Sequence, residues 1–372
     1  MGNNLDKSIR QESLDLLRFP LAVIIVIVHV FGSFDTENLP ISTGVNCFID
    51  AFLRGQSVPI YYFISGYVFF LGINNYTLDR YKSKLQNRVK TLLIPFIIWN
   101  ILLVIINLLK RLPILATIFP NIHSVEIDLS ISSILNTFWD ASKGVFQYPN
   151  LGTIKSSIFP INSPLWFIRE LMIVVMLTPI IFRAIKYIGN YFIAIVGILW
   201  IVLPYFVCYY CDQFLTALFF FSFGSIMSIR AKDMVIEFQR LFKPTIIIYP
   251  LLCILHMTIV DVAPDTAILI KKLKSIVGLL LAYNVSIWML QTKEYRVNKF
   301  LSSSSFFIYI AHYLVYADVL KILMLCFSPE SDLANLSVYM LTVVVTIALL
   351  LLVFAALKRF SPYVLGLITG RR

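Results

Sequence analysis

The sequence predicts an all-α, polytopic transmembrane helical bundle of about ten helices, and three observations predict it. Of the 372 residues 59% are apolar and 14% charged, and the mean hydropathy is +0.84, far from the composition of a water-soluble domain. Runs of about 20 apolar residues, the length that crosses a hydrocarbon layer about 30 Å thick as helix, recur along nearly the whole chain and are too long and continuous for barrel strands. The basic residues gather in alternate connections: with a cytoplasmic N-terminus, 21 of the 31 Lys and Arg fall on the inner side, the bias expected of cytoplasmic loops. Both termini are therefore expected in the cytoplasm. The net charge of +11 is divided among connections rather than drawn into one stripe, which points to the lipid bilayer and not to nucleic acid as partner.

The first apolar segment, 14–34, carries two ionisable side chains, Arg18 and His29. Such groups are expensive in hydrocarbon and mark functional sites by default. At about 100° per residue their spacing puts them within about 20° on one helix face and about 17 Å apart in depth. The preceding Met1 to Ser13 is polar and no small-residue cleavage pattern follows, so this segment is expected to remain as a signal-anchor.

The second segment, 47–73, contains Ser65-Gly66-Tyr67, small-residue chemistry suited to close helix packing. The third, 89–109, is approached through a basic stretch that ends in Arg88 and Lys90; both could equally be topology charges. The longest polar interval, about 110–163, reads as a loop and not a domain. Its His123, Glu126, Asp128, Trp139, Asp140, Lys143 and Tyr148 either line an external acceptor site or are solvated.

Arg169 and Glu170 lie just inside the outer end of the fourth segment, 163–188. Neighbours point about 100° apart on a helix, so they are expected either to pair or to send only Arg169 toward a site. Between the fifth segment, 190–211, and the sixth, 213–230, Cys208 and Cys211 have redox or metal spacing, but without a second pair or a nearby His they read as packing residues. The five cysteines give no disulfide framework, and no metal is expected. His256 and Asp261 in the seventh segment, 244–263, read as structural. At the start of the eighth, 271–291, Lys271, Lys272 and Lys274 form the one basic cluster on the predicted outer side. The ninth, 300–327, carries Tyr309 and His312, either helix-packing residues or a second polar group of a site; the tenth is 335–357. No internal repeat stands out, and residues 1–372 leave no room for an appended soluble domain.

Five fragments carry a family resemblance in order along residues 15–315: Asp15-Leu16-Leu17-Arg18 with Ala22 and His29; Phe63-Ile64-Ser65-Gly66-Tyr67; Gln86 through Pro95; Ser163-Pro164-Leu165-Trp166-Phe167-Ile168-Arg169-Glu170-Leu171; and Phe306 through His312. This series resembles the acyltransferase 3 family of bacterial membrane acyltransferases. The resemblance implies transfer of an acyl group, usually acetyl, from cytoplasmic acyl-coenzyme A (acetyl-CoA) to a hydroxyl of a cell-envelope glycan or its lipid-linked precursor, in the bacterial plasma membrane. It implies His29 as general base, since a hydroxyl near neutral pH needs its proton taken as it attacks. Arg18 is expected to share that catalytic face and, with Arg88 and Lys90, to meet the donor's phosphates. Arg169, Tyr309 and His312 are the candidate substrate contacts. One departure stands out: many members carry two arginines three apart before the third-helix proline, and here Arg88 is followed at that spacing by Thr91. The alternative expectation is a polysaccharide-export or transporter component. Against it, no pair of Gly- or Pro-interrupted helices recurs in two corresponding halves.

Overall fold

The computed structural model describes residues 2–33, 39–73, 75–110, 130–141, 145–147, 154–156, 158–206, 209–231, 234–292 and 295–370. His123, Glu126, Asp128, Lys143, Tyr148 and Cys208 lie outside them. The helices are α1 (Gly2–Phe31), α2 (Pro40–Phe52), α3 (Ser57–Phe70), α4 (Leu78–Arg88), α5 (Ile94–Lys110), α6 (Ile131–Trp139), α7 (Trp166–Met176), α8 (Thr178–Ile188), α9 (Asn190–Phe206), α10 (Tyr209–Ile229), α11 (Met234–Gln239), α12 (Phe242–Ile259), α13 (Pro264–Gln291), α14 (Lys299–Phe327), α15 (Asp332–Phe360) and α16 (Pro362–Thr369). Among the described residues the only strands are β1 (Val145–Gln147) and β2 (Ile154–Ser156), an antiparallel pair with Phe146 opposite Lys155.

Every predicted apolar segment is helical. Seven helices are long and apolar enough to cross a membrane, and the bent pair α7–α8 makes an eighth. The shorter α9 and the broken pair α2–α3 occupy the other two predicted segments but are not long enough by themselves to count as crossings, so seven or eight of the ten expected crossings have the required length. This is a helical, multi-pass membrane protein.

The helices outrun the apolar runs that announced them. A five-residue π-helical turn, Val89–Leu93, joins α4 to α5, giving one helix from Leu78 to Lys110, so the basic residues Arg80 to Arg88 ride on a helix and not in a connection. Likewise α13 begins at Pro264, which places Lys271, Lys272 and Lys274 two to three turns inside it. This corrects the reading of those lysines as an external connection. Hydropathy marks what lies in lipid, whereas helix length follows propensity, good for Lys, Arg, Gln and Leu, and caps. The Thr77 hydroxyl accepts from Arg80 N at 3.4 Å, and Pro264 supplies the fixed φ of a first helical turn.

Two predicted crossings are interrupted. The second breaks over Leu53–Gln56, where Gly55 takes φ +82°, a left-handed conformation that favours glycine. The fourth bends by 61° between Met176 and Thr178, where Pro179 opens α8 and cannot continue the preceding hydrogen-bond ladder. The long polar interval is partly structured, holding α6, capped by the Ser130 hydroxyl from Ser133 N at 3.3 Å, and the small hairpin.

Helix α1 is enclosed by α13, α14, α15, α2 and α3, and Ala22, Val26, Val30 and Phe31 are wholly buried. The closest helix approach is α3 on α10. A Cβ at Gly66 would stand 2.0 Å from the Phe221 carbonyl oxygen, and one at Gly224 2.0 Å from that of Phe63. Both obstacles are backbone, which cannot rotate away. Gly66→Ala should therefore force the two helices apart, destabilising the protein by about 1–3 kcal/mol. Thermal unfolding in detergent should show the loss; a variant that melts like wild type would mean the contact is not tight.

Candidate active site

Two cavities lie at different depths of the bundle and share one wall. The outer, of about 380 Å³, is lined by His29, by Arg54, Gly55 and Ser57 at the α2–α3 break, by Asp212 and Gln213 of α10, and by Lys271 and Lys272. The inner, of about 500 Å³, is lined by Asp15, Arg18, Arg88, Lys299 and the hydroxyls of Ser302, Ser303 and Ser305. Tyr309 lines both. With Tyr61 and Phe167 it forms an aromatic cluster between them, ring centroids 5.7–6.5 Å apart. The Tyr61 hydroxyl donates to the Arg18 carbonyl at 2.7 Å, and the Tyr309 hydroxyl to the Pro164 carbonyl.

Helix α1 sends the pair Asp15 and Arg18 into the inner cavity and His29 into the outer. Arg18 pairs with Asp15 at 3.0 Å, and its side chain stays 41% exposed on the wall of the cavity. Arg88 lies over the Phe69 ring, 5.6 Å from its centroid. Lys90 is exposed on the π-helical turn and is not among the residues lining the inner cavity. Thr91 is packed against the C-terminal helix instead: a Cβ on Gly370, whose φ is +72°, would fall 2.6 Å from the Thr91 Cα. The third cation of the inner cavity is Lys299, at the first turn of α14, beside a helix start whose amides are capped by Asn298 Oδ1. In the sequence Lys299 reads only as one of the inner topology charges.

The imidazoles of His29 and His312 stand together, ring centroids 5.1 Å apart and tilted by 50°, with Tyr313 edge-on to His29 at 6.0 Å. His312 is completely buried. Its Nδ1 lies 2.8 Å from the Tyr309 carbonyl, which can only accept, so Nδ1 holds the proton and donates. The buried Nε2 is then left as an acceptor, and no donor fills it among the described residues. His29 is the cavity-facing member, with His312 behind it.

Arg169 is placed differently from the expected substrate contact. It is 1% exposed and absent from the lining of either cavity. Its guanidinium donates to Glu170 Oε1 at 2.8 and 2.9 Å, to the carbonyls of Trp139 at 2.6 Å and Ile158 at 3.1 Å, and to Gln213 Oε1 at 3.4 Å. The planar guanidinium thus ties α7 to the polar segment, through Trp139 and Ile158, and to α10, through Gln213. The adjacent-residue argument gave too little weight to reach: a long Arg side chain curls back onto its neighbour.

The lysines of α13 answer the backbone. Where α2 ends, its last carbonyls have no helical partner, and Lys274 Nζ donates to those of Asp50 and Ala51, the Tyr249 hydroxyl to that of Phe52, and Ser275 Oγ to that of Gly55. In α9, Pro204 has no N–H to give the carbonyl four residues back. That carbonyl is Trp200's, and Lys272 Nζ donates to it while pairing with Asp212 at 2.7 Å. Lys272→Met should lower the melting temperature, an unfilled buried carbonyl being worth about 1–3 kcal/mol. Adding Pro204→Ala, which restores an N–H at the right register, should recover part of the loss. Strictly additive melting shifts for the two substitutions would contradict the pairing.

Among curated proteins and solved structures none matches the chain. The family model of an acyltransferase domain, acyltransferase 3, matches residues 11–355, a span that contains the residues lining both cavities. The chain belongs to the acyltransferase 3 family and is a membrane acyltransferase.

Proposed function

We propose that the protein is an O-acyltransferase of the bacterial plasma membrane, moving an acyl group, in the first place acetyl, from cytoplasmic acyl-CoA to a hydroxyl of a cell-envelope glycan or its lipid-linked precursor. The observation that carries this reading is the pair of cavities meeting on Tyr309, one lined with cations and the other holding His29. Coenzyme A has a polyphosphate head that stays out of hydrocarbon. Arg18, Arg88 and Lys299 offer it charge-assisted contacts, and the positive end of α14 opens on the same space. This end of α1 is the one on which the basic residues concentrate, which supports a cytoplasmic inner cavity. The neutral arm of the donor then extends between Tyr61, Phe167 and Tyr309 toward His29, about 17 Å deeper by helical rise.

In the outer cavity the acceptor hydroxyl attacks the thioester carbonyl while His29 takes its proton. The tetrahedral intermediate collapses with cleavage of the carbon–sulfur bond, the coenzyme A thiolate leaves, and the imidazolium returns the proton to it. His312 backs the base: its ring stands 5.1 Å from that of His29, and with Nδ1 committed to the Tyr309 carbonyl it has only an acceptor, Nε2, with which to orient a protonated neighbour. His312 is therefore a positioning residue. The aromatic cluster also speaks against polysaccharide export, because a slender acyl arm passes three rings that would stop a hydrated glycan.

His29→Ala should slow acetyl transfer by about 10²- to 10⁴-fold while leaving acetyl-CoA affinity unchanged. His312→Ala should lower kcat, not affinity, and move the acid limb of the pH–rate profile. Wild-type turnover in His29→Ala would end the assignment. For the donor site, Arg18→Ala, Arg88→Ala and Lys299→Ala should each weaken acetyl-CoA binding by about 1.5–3 kcal/mol. Lys90→Ala should not. Calorimetry in detergent separates the two sets, and equal affinities throughout would remove the three cations from the donor site.

A further inference from the structure

We infer that the outer cavity contains a subsite for an anionic group of the acceptor, a carboxylate or a phosphate, formed by Lys271 of α13 with Arg54 at the α2–α3 break. The inference rests on the acyl-transfer reading, which makes this cavity the acceptor's. Each cation near the break can be assigned. Lys274 is consumed by the carbonyls that end α2, and Lys272 by Asp212 and the Trp200 carbonyl. Arg54 shares its Nε with Asp50, yet its side chain stays 35% exposed and lines the cavity. Lys271 lines the cavity as well, and among the described residues no carboxylate lies within ion-pair distance of it.

Charge counting along the wall points the same way. Among the described residues Arg54, Lys271 and Lys272 face the cavity, and the one carboxylate that lines it, Asp212, is already paired with Lys272. A pocket of one sign with low-dielectric walls concentrates the opposite charge. Lys271 sits about 10 Å along α13 from its first residue, on the cavity wall. The helix break is what admits it: a Cβ on Gly55 would touch the Lys271 Cε at 3.4 Å, and φ +82° disfavours any side chain there. Trp166 lines the same cavity, an aromatic surface of the kind a sugar ring stacks on. An acid group held by Lys271 and Arg54 thus fixes one end of a sugar while another position presents its hydroxyl to His29.

The test uses the full-length protein in detergent and three sugars: glucuronate, glucose 1-phosphate and glucose. Calorimetry should find glucuronate, glucose 1-phosphate or both binding at least roughly tenfold more tightly than glucose, and the tighter of the two names carboxylate or phosphate. Lys271→Gln should abolish that preference, Lys271→Arg should keep it, and acetyl-CoA affinity should be unchanged in both, which also reports that the variants are folded. Equal binding of glucose, no binding of any of the three, or an undiminished preference in Lys271→Gln would overturn the subsite. A protein that prefers the acid sugars but never releases coenzyme A from acetyl-CoA would instead sink the acyl-transfer reading. Release of coenzyme A without any preference would sink the subsite alone.

Discussion

A backbone carbonyl freed from its helix at membrane depth has no water to turn to, and the outer cavity is shaped by how this chain meets that demand. Helix α2 stops at Phe52 and α3 starts at Ser57, so several carbonyls lose their partners inside the bundle. Pro204 frees one more in α9. The donors come from two neighbouring helices, Tyr249 of α12 and Lys272, Lys274 and Ser275 of α13. Two of these donors, Lys272 and Ser275, also line the cavity that His29 faces, so the side chains that fill the freed carbonyls form part of its wall. Removing the break would remove both the need for the lysines and the room for a substrate.

The inner half is fixed differently, by contact without spacers. Gly66 and Gly224 bring α3 onto α10 backbone to backbone, which sets the height of Tyr61 and Tyr62 one turn and more earlier on α3. Tyr61 then reaches the Arg18 carbonyl of α1, and Tyr62 the Phe167 carbonyl of α7. The aromatic cluster between the cavities is therefore registered by a glycine contact on the far side of α3. A tight joint on the inner side and a carbonyl-filled break on the outer side leave α1 as the common strut, and its Arg18 and His29 fall on opposite sides of the cluster.

Much of this was legible along single helices. Apolar runs located the crossings, and the helical phase of Arg18 and His29 put both on a cavity-facing side. The helix break was not legible, because Gly55 is a lone glycine and its neighbours Leu53, Arg54 and Gln56 are ordinary helix formers. Lys272 and Lys274 looked wrong for their expected side of the membrane because hydropathy cannot show that a lysine has a carbonyl to fill. The His29–His312 contact joins the first long helix to the next-to-last, and no local pattern encodes a pairing so distant in sequence. Thr91 looked like a loss to the donor site, yet it faces Gly370, and Lys299, a residue with no motif to mark it, lines the cavity in its stead.

Two cationic sites at different depths pose a question of their own, since an imidazole poised as a base works best uncharged and far from extra cations. Both substrates answer it if both are anions. Coenzyme A carries its charge at the end away from the thioester, and an acid sugar carries its charge away from the hydroxyl to be acylated. Holding one anion by Arg18, Arg88 and Lys299 and the other by Lys271 and Arg54 neutralises both sets of cations while keeping the two negative ends apart across the aromatic cluster. Only the neutral reacting groups then need to meet at His29. Tyr309 is the residue through which this arrangement closes: its ring walls both cavities, its hydroxyl holds the Pro164 carbonyl, and its own carbonyl fixes the tautomer of His312.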